Sequence, residues 1–147
     1  CGNAQIFSEV SPEMHWEFAM EHDLRWMRRW GLNYYGCCEP LDRKVELLDR
    51  IPNLRKVSVS PWNNLKRIFA GLGDRYVASF KPNPAIFLDE EWSPEAARAA
   101  IVQGLDIAQA EGCDNVELIM KDISTVHRHP ERLWAWADIA MEAVQSR

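Results

Sequence analysis

Residues 32–41 of the chain are Leu32-Asn33-Tyr34-Tyr35-Gly36-Cys37-Cys38-Glu39-Pro40-Leu41. They follow Gly31, a residue type that commonly ends helices, and they begin with residue types suited to a strand. Pro40 has no N–H to donate to a sheet ladder, so we expect the strand to end about there. Two thiols and a carboxylate then lie where a strand opens into a loop, a common position for catalytic groups in α/β proteins.

The composition is typical of a folded globular chain. The 147 residues are enough for one domain, and the apolar fraction of 47% is too high for a disordered protein. A net charge of −5 without a dense basic patch argues against a nucleic-acid partner. No apolar run approaches the length of a membrane span, and the four cysteines do not form a disulfide framework. We therefore expect reduced thiols, a cytoplasmic location and no membrane partner.

Strand-like and helix-like segments alternate along the chain. We predict strands at residues 3–10, 32–38, 54–60, 76–80 and 116–120. Helices are predicted between them, at 11–31, 42–51, 63–72 and 93–110, and a last one opens at Pro130. Ser11-Pro12 and Ser93-Pro94 each provide an N-cap followed by a proline at the first helical position. Helical crossovers between strands imply a parallel sheet, and the absence of a composition break indicates one domain over residues 1–147.

Such a sheet is either an open doubly wound sheet or part of a barrel. No glycine-rich phosphate loop follows any predicted strand, which weighs against a nucleotide-binding open sheet. Each predicted strand ends in polar or reactive residues, and in a barrel those ends meet at one mouth. A complete barrel needs about 250 residues. We therefore predict an α/β fold consisting of the C-terminal five βα units of a (β/α)8 TIM barrel, cut from a longer chain.

Cys37 is the leading candidate for chemistry. Its position at a strand end beside Glu39 favours a thiolate ligand or a nucleophile, whereas Cys38 fits a buried small apolar residue equally well. Zinc prefers thiolate, imidazole and carboxylate donors. However, the adjacent cysteines lack the Cys-x-x-Cys spacing of a strong metal motif.

Other candidates are weaker signals. Lys121 and Asp122 follow the last predicted strand, where such a pair is as often a solvated ion pair as a catalytic one. His127 and His129 are more typical of surface or capping residues than of ligands. Trp62 follows a strand end and could form one wall of a pocket.

Four motifs together resemble a known family. They are Tyr35-Gly36-Cys37-Cys38-Glu39-Pro40, Val57-Ser58-Val59-Ser60-Pro61-Trp62, Phe80-Lys81-Pro82-Asn83-Pro84-Ala85 and Leu118-Ile119-Met120-Lys121-Asp122-Ile123. In order and spacing this set resembles the C-terminal part of the uroporphyrinogen decarboxylase superfamily. That superfamily also contains the cobamide-dependent methyltransferases, and its members are single (β/α) barrels.

The resemblance implies a zinc-thiolate site in the methyltransferase branch. There, a strand ending His-x-Cys and a cysteine near the last strand hold zinc, which activates a substrate thiolate for methyl exchange with a corrinoid protein. Cys37 matches the first cysteine, but Tyr35 stands in the histidine's place, and the last cysteine falls on Lys121 or Asp122. A variant set of Cys37, Cys38, Glu39 and Asp122 consists of acceptable zinc donors.

We therefore predict the following site. The catalytic residues are Cys37, Glu39, Lys121 and Asp122. The metal ligands are Cys37, Cys38, Glu39 and Asp122, for zinc, with a corrinoid reached through a partner protein. The substrate-binding residues are Tyr35, Ser60, Trp62, Lys81 and Asn83.

Three functions are compatible with these residues. The first is corrinoid-linked methyl transfer, acting on a small-molecule or tetrapyrrole-like ligand. The second is decarboxylation of uroporphyrinogen III, which in that branch needs no cofactor and uses arginines and an aspartate from early strands outside this chain. The third is a non-catalytic barrel fragment that binds a ligand or partner. Uncovered strand edges and helix faces also predict self-association.

Overall fold

Four strands form one parallel sheet at the centre of the molecule. The computed structural model describes residues 1–3 and 5–147. The strands are β1 (Asn33–Tyr35), β2 (Leu54–Val59), β3 (Val77–Phe80) and β4 (Val116–Leu118). Their order in the sheet is β1-β2-β3-β4, and each adjacent pair is parallel. The predicted α/β class with a parallel sheet is confirmed, and the strand order is compatible with part of a barrel.

The first helical region has three sections. It consists of α1 (Pro12–His15), a π-helical segment (Trp16–Met20) and α2 (Glu21–Met27). Ser11 is its N-cap, as the sequence predicts: its Oγ accepts a hydrogen bond of 3.2 Å from the backbone N–H of Met14. The helix ends at Met27 and not at Gly31, because the backbone tightens at Arg29, whose N–H donates to Trp26 O.

Four further helices follow. They are α3 (Val45–Leu48), α4 (Leu65–Leu72), α5 (Pro94–Ala110) and α6 (Glu131–Gln145), and short 3-10 helices lie at Gln5–Phe7 and Pro84–Phe87. Asn64 and Ser93 cap α4 and α5 through their side-chain oxygens. Gly73 ends α4 with a φ of 53°, a conformation in which an L side chain would be strained.

The strand predicted over residues 3–10 is wrong. Ala4 lies outside the described residues, and Gln5–Phe7 is a 3-10 helix. Asn3 Oδ1 accepts a hydrogen bond from the N–H of Gln5, a local turn that competes with extended backbone. Gly2 instead makes an isolated parallel bridge to Tyr35 at the outer edge of β1. The described sheet therefore has four strands and not five.

The two faces of the sheet differ in chemistry. On one face Val57, Ala78 and Phe80 are buried in the main apolar core, together with residues of α2, α3 and α4. The other face, here called the polar face, carries Tyr34, Lys56, Ser58, Ser79 and Glu117. Both strand alternation and register place these side chains together. Lys56 Nζ lies 3.0 Å from Glu117 Oε2, and Ser79 Oγ donates to Glu117 Oε1 over 2.9 Å.

A second apolar cluster lies between α5 and α6. Its buried members include Phe87, Ile101, Leu105, Trp136 and Ala140. Across the described residues, no helix has both the length and the apolar character that spanning a bilayer requires.

Candidate functional site

The loops after β1 and β4 bring four reactive side chains into contact. Lys121 Nζ lies 2.7 Å from Cys37 Sγ and 2.7 Å from Cys38 Sγ, and the two sulfurs are 3.4 Å apart. The Cys38 thiol donates to Asp122 Oδ2 over 3.0 Å. We call Cys37, Cys38, Lys121 and Asp122 the thiol cluster. In a flat sheet β1 and β4 would be about 14 Å apart, so the segment after β4 must turn back toward β1.

Backbone contacts fix the position of Cys37. Gly36 has a φ of 94°, and a Cβ there would collide with Leu41 and Ser58, so glycine permits the close approach that precedes the cysteine pair. Ser58 Oγ donates to Cys37 O over 2.5 Å, and the Cys37 N–H donates to Glu39 Oε2 over 3.1 Å. The thiol cluster is therefore held on its β1 side by both β2 and the loop itself.

The members of the thiol cluster shift one another's pKa values. Burial, followed by the hydrogen bond to Asp122, raises the pKa of Cys38 to about 11, so this thiol keeps its proton at neutral pH. Hydrogen bonds to the two sulfurs raise the pKa of Lys121, which remains an ammonium. The thiol of Cys38 lowers the pKa of Asp122. Both sulfurs contact the ammonium, but only Cys38 also contacts a carboxylate. Among the described residues, no carboxylate lies within hydrogen-bond distance of the Cys37 sulfur.

Lys81, directly after β3, extends the site across the polar face. Its side chain is buried, and Nζ donates to Ser58 Oγ over 2.6 Å and to Tyr34 OH over 3.0 Å. A cavity of about 80 Å³ lies between this lysine and the thiol cluster. Its walls are Cys38, Trp62, Lys81, Lys121 and Asp122 together with Pro61, Pro82 and Pro84.

Several predicted site residues lie away from this cavity. Tyr35 is fully buried on the core face, where its OH meets His15 Nε2 at 2.9 Å; strand alternation turns Tyr34, not Tyr35, toward Lys81. Ser60 is buried, and its Oγ accepts a hydrogen bond from the side chain of Asn63. Asn83 caps the 3-10 helix Pro84–Phe87 by accepting from the Ala85 N–H. The three side chains are therefore occupied in holding the fold.

The predicted zinc ligands do not form a closed set. The described part of the chain holds no group of three or more His, Cys, Asp or Glu side chains arranged around a metal position. Two thiolates on one tetrahedral zinc lie about 3.8 Å apart, near the 3.4 Å seen here, but the Lys121 ammonium occupies the position between the sulfurs. Glu39 is buried, with its carboxylate turned onto the Cys37 backbone. As arranged, the donors suit an ammonium and not zinc.

Sequence reasoning missed two groups of residues. The first group is Tyr34 and Ser58, whose hydroxyls accept hydrogen bonds from Lys81. Side chains alternate between the two faces along β1 and β2, and this alternation could have placed both residues on the face of Lys81. The second group is a buried cluster of His15, Tyr35 and Lys44, in which Lys44 Nζ contacts His15 Nδ1 at 3.2 Å. Burial, with a smaller contribution from Lys44, lowers the pKa of His15 to about 4.

Comparison with known proteins gives no relative: no family model, curated protein or solved structure matches this chain. The class of the protein is therefore defined by its own structure, an α/β fold with a four-stranded parallel sheet. The family resemblance depends on the four sequence motifs alone.

Proposed function

We propose that this chain is part of a (β/α) barrel enzyme similar to the uroporphyrinogen decarboxylase superfamily, and that its thiol cluster takes part in methyl transfer by accepting a methyl group on Cys37. Three features support the barrel. The strands follow each other in chain order, one sheet face carries apolar core residues, and the other carries polar side chains. Doubly wound sheets instead reverse their strand order at a switch point.

The contact of Lys121 with both sulfurs is the observation that carries the proposed chemistry. Its ammonium contacts Cys37, a residue 84 positions earlier in the chain, so the contact is made by the tertiary structure and not by neighbouring residues of one loop. A thiolate is the reactive form of cysteine, and an adjacent cation favours it. Because Cys38 shares its proton with Asp122, Cys37 is the nucleophile of the pair.

The transfer step involves one bond formed and one broken. The Cys37 thiolate attacks the methyl carbon of the donor, a sulfur–carbon bond forms, and the donor leaves with the electron pair of the broken bond. In the family that this chain resembles, a corrinoid on a partner protein supplies the methyl group. Lys121 contacts the attacking sulfur, and no step here goes through zinc, since the ammonium holds the position that zinc would need.

Methyl transfer can be tested directly on the sulfurs. We expect methylcobalamin or iodomethane to add one methyl group to Cys37, detected by peptide mass spectrometry, and to do so faster than on Cys113, which is buried. Cys37→Ser should abolish this product, whereas the matched Cys113→Ser should leave it unchanged. Equal labelling of all four cysteines, or an unchanged rate in Cys37→Ser, would refute the proposal.

Decarboxylation is the second candidate, favoured by one observation. Lys81 presents a buried ammonium to the polar face, where a substrate carboxylate could bind. Metal-free turnover of a porphyrinogen that persists in Cys37→Ser would support this function over methyl transfer. Ligand binding with neither activity would instead indicate the non-catalytic fragment.

A further inference from the structure

Lys81 is a buried cation whose hydrogen-bond acceptors are both neutral. Its side chain is only 4% exposed, and both acceptors of its ammonium are hydroxyls, Ser58 Oγ at 2.6 Å and Tyr34 OH at 3.0 Å. Over residues 1–3 and 5–147, no carboxylate lies within ion-pair distance of Lys81. Taking an ammonium out of water is costly unless an anion or a full set of hydrogen bonds replaces the water.

Two other lysines show what a satisfied ammonium looks like in this molecule. On the same sheet face, Lys56 pairs with Glu117 at 3.0 Å. Lys44 is equally buried, but its three donors meet three acceptors, Phe7 O, Ser8 O and His15 Nδ1. An ammonium has three donors, so Lys81, with two acceptors, has one donor left.

The cavity beside Lys81 suits a small ligand with an apolar part. About 80 Å³ is room for roughly five to eight water-sized atoms. The indole of Trp62 and the rings of Pro61, Pro82 and Pro84 form apolar walls. The three prolines also restrict the backbone there. Lys121 adds a second ammonium to the lining, and Asp122 adds the one carboxylate.

We propose that this cavity binds a small aliphatic monocarboxylate, with its carboxylate on Lys81 and its carbon chain against Trp62 and the prolines. The far end of the ligand then lies beside Cys38 and Lys121, at the thiol cluster. The inference goes beyond the proposed function: it names a ligand for the cavity beside the thiol cluster, and binding of that ligand does not depend on methylation of Cys37.

Binding is measured without any reaction, by ligand-observed NMR titration of the whole chain with acetate, propionate and butyrate. The amides acetamide and propionamide serve as neutral probes of the same shape. We expect saturable binding of the acids and none of the amides. Lys81→Met should weaken propionate binding about 10- to 100-fold, as expected for the loss of a charged hydrogen bond.

Three variants make the result decisive. Lys81→Arg should retain binding, which shows that a loss in Lys81→Met is not misfolding, and Lys56→Met is the matched control on the same face and should bind as wild type. Equal propionate binding in Lys81→Met, binding of amides as strong as acids, or no saturable binding at all would overturn the inference. Cys37→Ser should still bind propionate; binding without methylation of Cys37 would reject the proposed function and leave this inference standing.

Discussion

At the scale of single residues, Lys121 is the side chain on which we expect the reactivity of Cys37 to depend. Its ammonium contacts both sulfurs and is the nearest positive charge to Cys37. Lys121→Met should slow alkylation of Cys37 by iodoacetamide about tenfold at pH 7, because one charged hydrogen bond to the reactive sulfur is lost from a partly exposed site. Mass spectrometry of timed samples measures the rate. Lys56→Met is the control: it removes a lysine of the polar face that does not contact the sulfurs, and it should leave the alkylation rate of Cys37 unchanged.

To bind Cys37 and Cys38, zinc would have to displace the same ammonium from the same two sulfurs. Because Lys121 lies between Cys37 and Cys38, we expect the wild-type chain to bind zinc weakly and Lys121→Met to bind it more tightly, in a titration against a chromogenic chelator. Cys37→Ser in the Lys121→Met background should remove the gain. If the wild-type chain instead binds zinc tightly and stoichiometrically, and this binding requires Cys37, then zinc displaces the Lys121 ammonium. That result would support the zinc-dependent mechanism.

His15 makes stability depend on pH. Its side chain is fully buried and its pKa falls to about 4, below the ordinary value of 6.5. Between these values the unfolded chain binds the proton and the folded chain does not, so stability is lost as pH falls from 6.5 to 4. The loss should reach about 3 kcal/mol, seen by urea unfolding at pH 7 and pH 4. In His15→Gln the fall should be smaller by that amount, while the exposed His22→Gln should behave as wild type.

At the scale of elements, the sequence predicts helix starts and strands where residues close in the chain determine them. Ser11 and Ser93 cap helices through their own side chains, and the β2 to β4 segments each contain apolar residues between turns, so the sequence was sufficient there. The first segment failed because a single hydrogen bond from Gln5 to Asn3 outweighs a weak strand preference.

The site was harder to predict, because it depends on which loops meet. That Cys37 and Lys121 lie at strand ends follows from the sequence, but their contact depends on how the segment after β4 turns back. The motif points to Tyr35, whereas the alternation of side chains along β1 turns Tyr34 toward Lys81. The sequence therefore predicts candidate residues, and the tertiary structure selects among them.

Helix α5 packs closely on the sheet through Gly104. A Cβ at this position would overlap the ring of Phe80, which belongs to β3. Gly104→Ala should therefore destabilise the fold by about 1–3 kcal/mol in urea unfolding, even though alanine favours helices by about 1 kcal/mol. Gly31→Ala is the control, since nothing lies near its Cβ position, and it should change stability little. A stabilised Gly104→Ala would mean that the helix can move away from Phe80 at no cost.

At the scale of the whole molecule, the two edges of the sheet and one side of α6 are exposed. The edge strands β1 and β4 lack a partner over most of their length in the described structure, apart from the bridge at Gly2. On α6 the side chains of Trp134 and Met141 are 65% and 57% exposed. They are seven residues apart, so they lie on one side of the helix and form one apolar patch.

This patch should drive self-association of the chain. Large exposed apolar patches seek partners, and in a sample of this chain alone the available partner is a second copy. We expect the weight-average mass in sedimentation equilibrium to rise with concentration. The double variant Trp134→Lys/Met141→Lys should shift this mass toward that of the monomer without changing the circular dichroism spectrum, because both side chains point to solvent.

Ile6→Lys, which alters an isolated exposed residue, is the control and should associate as wild type. A strictly monomeric wild-type chain would exclude the patch as a contact. Association that persists in the double variant would assign it to the open edges of β1 and β4.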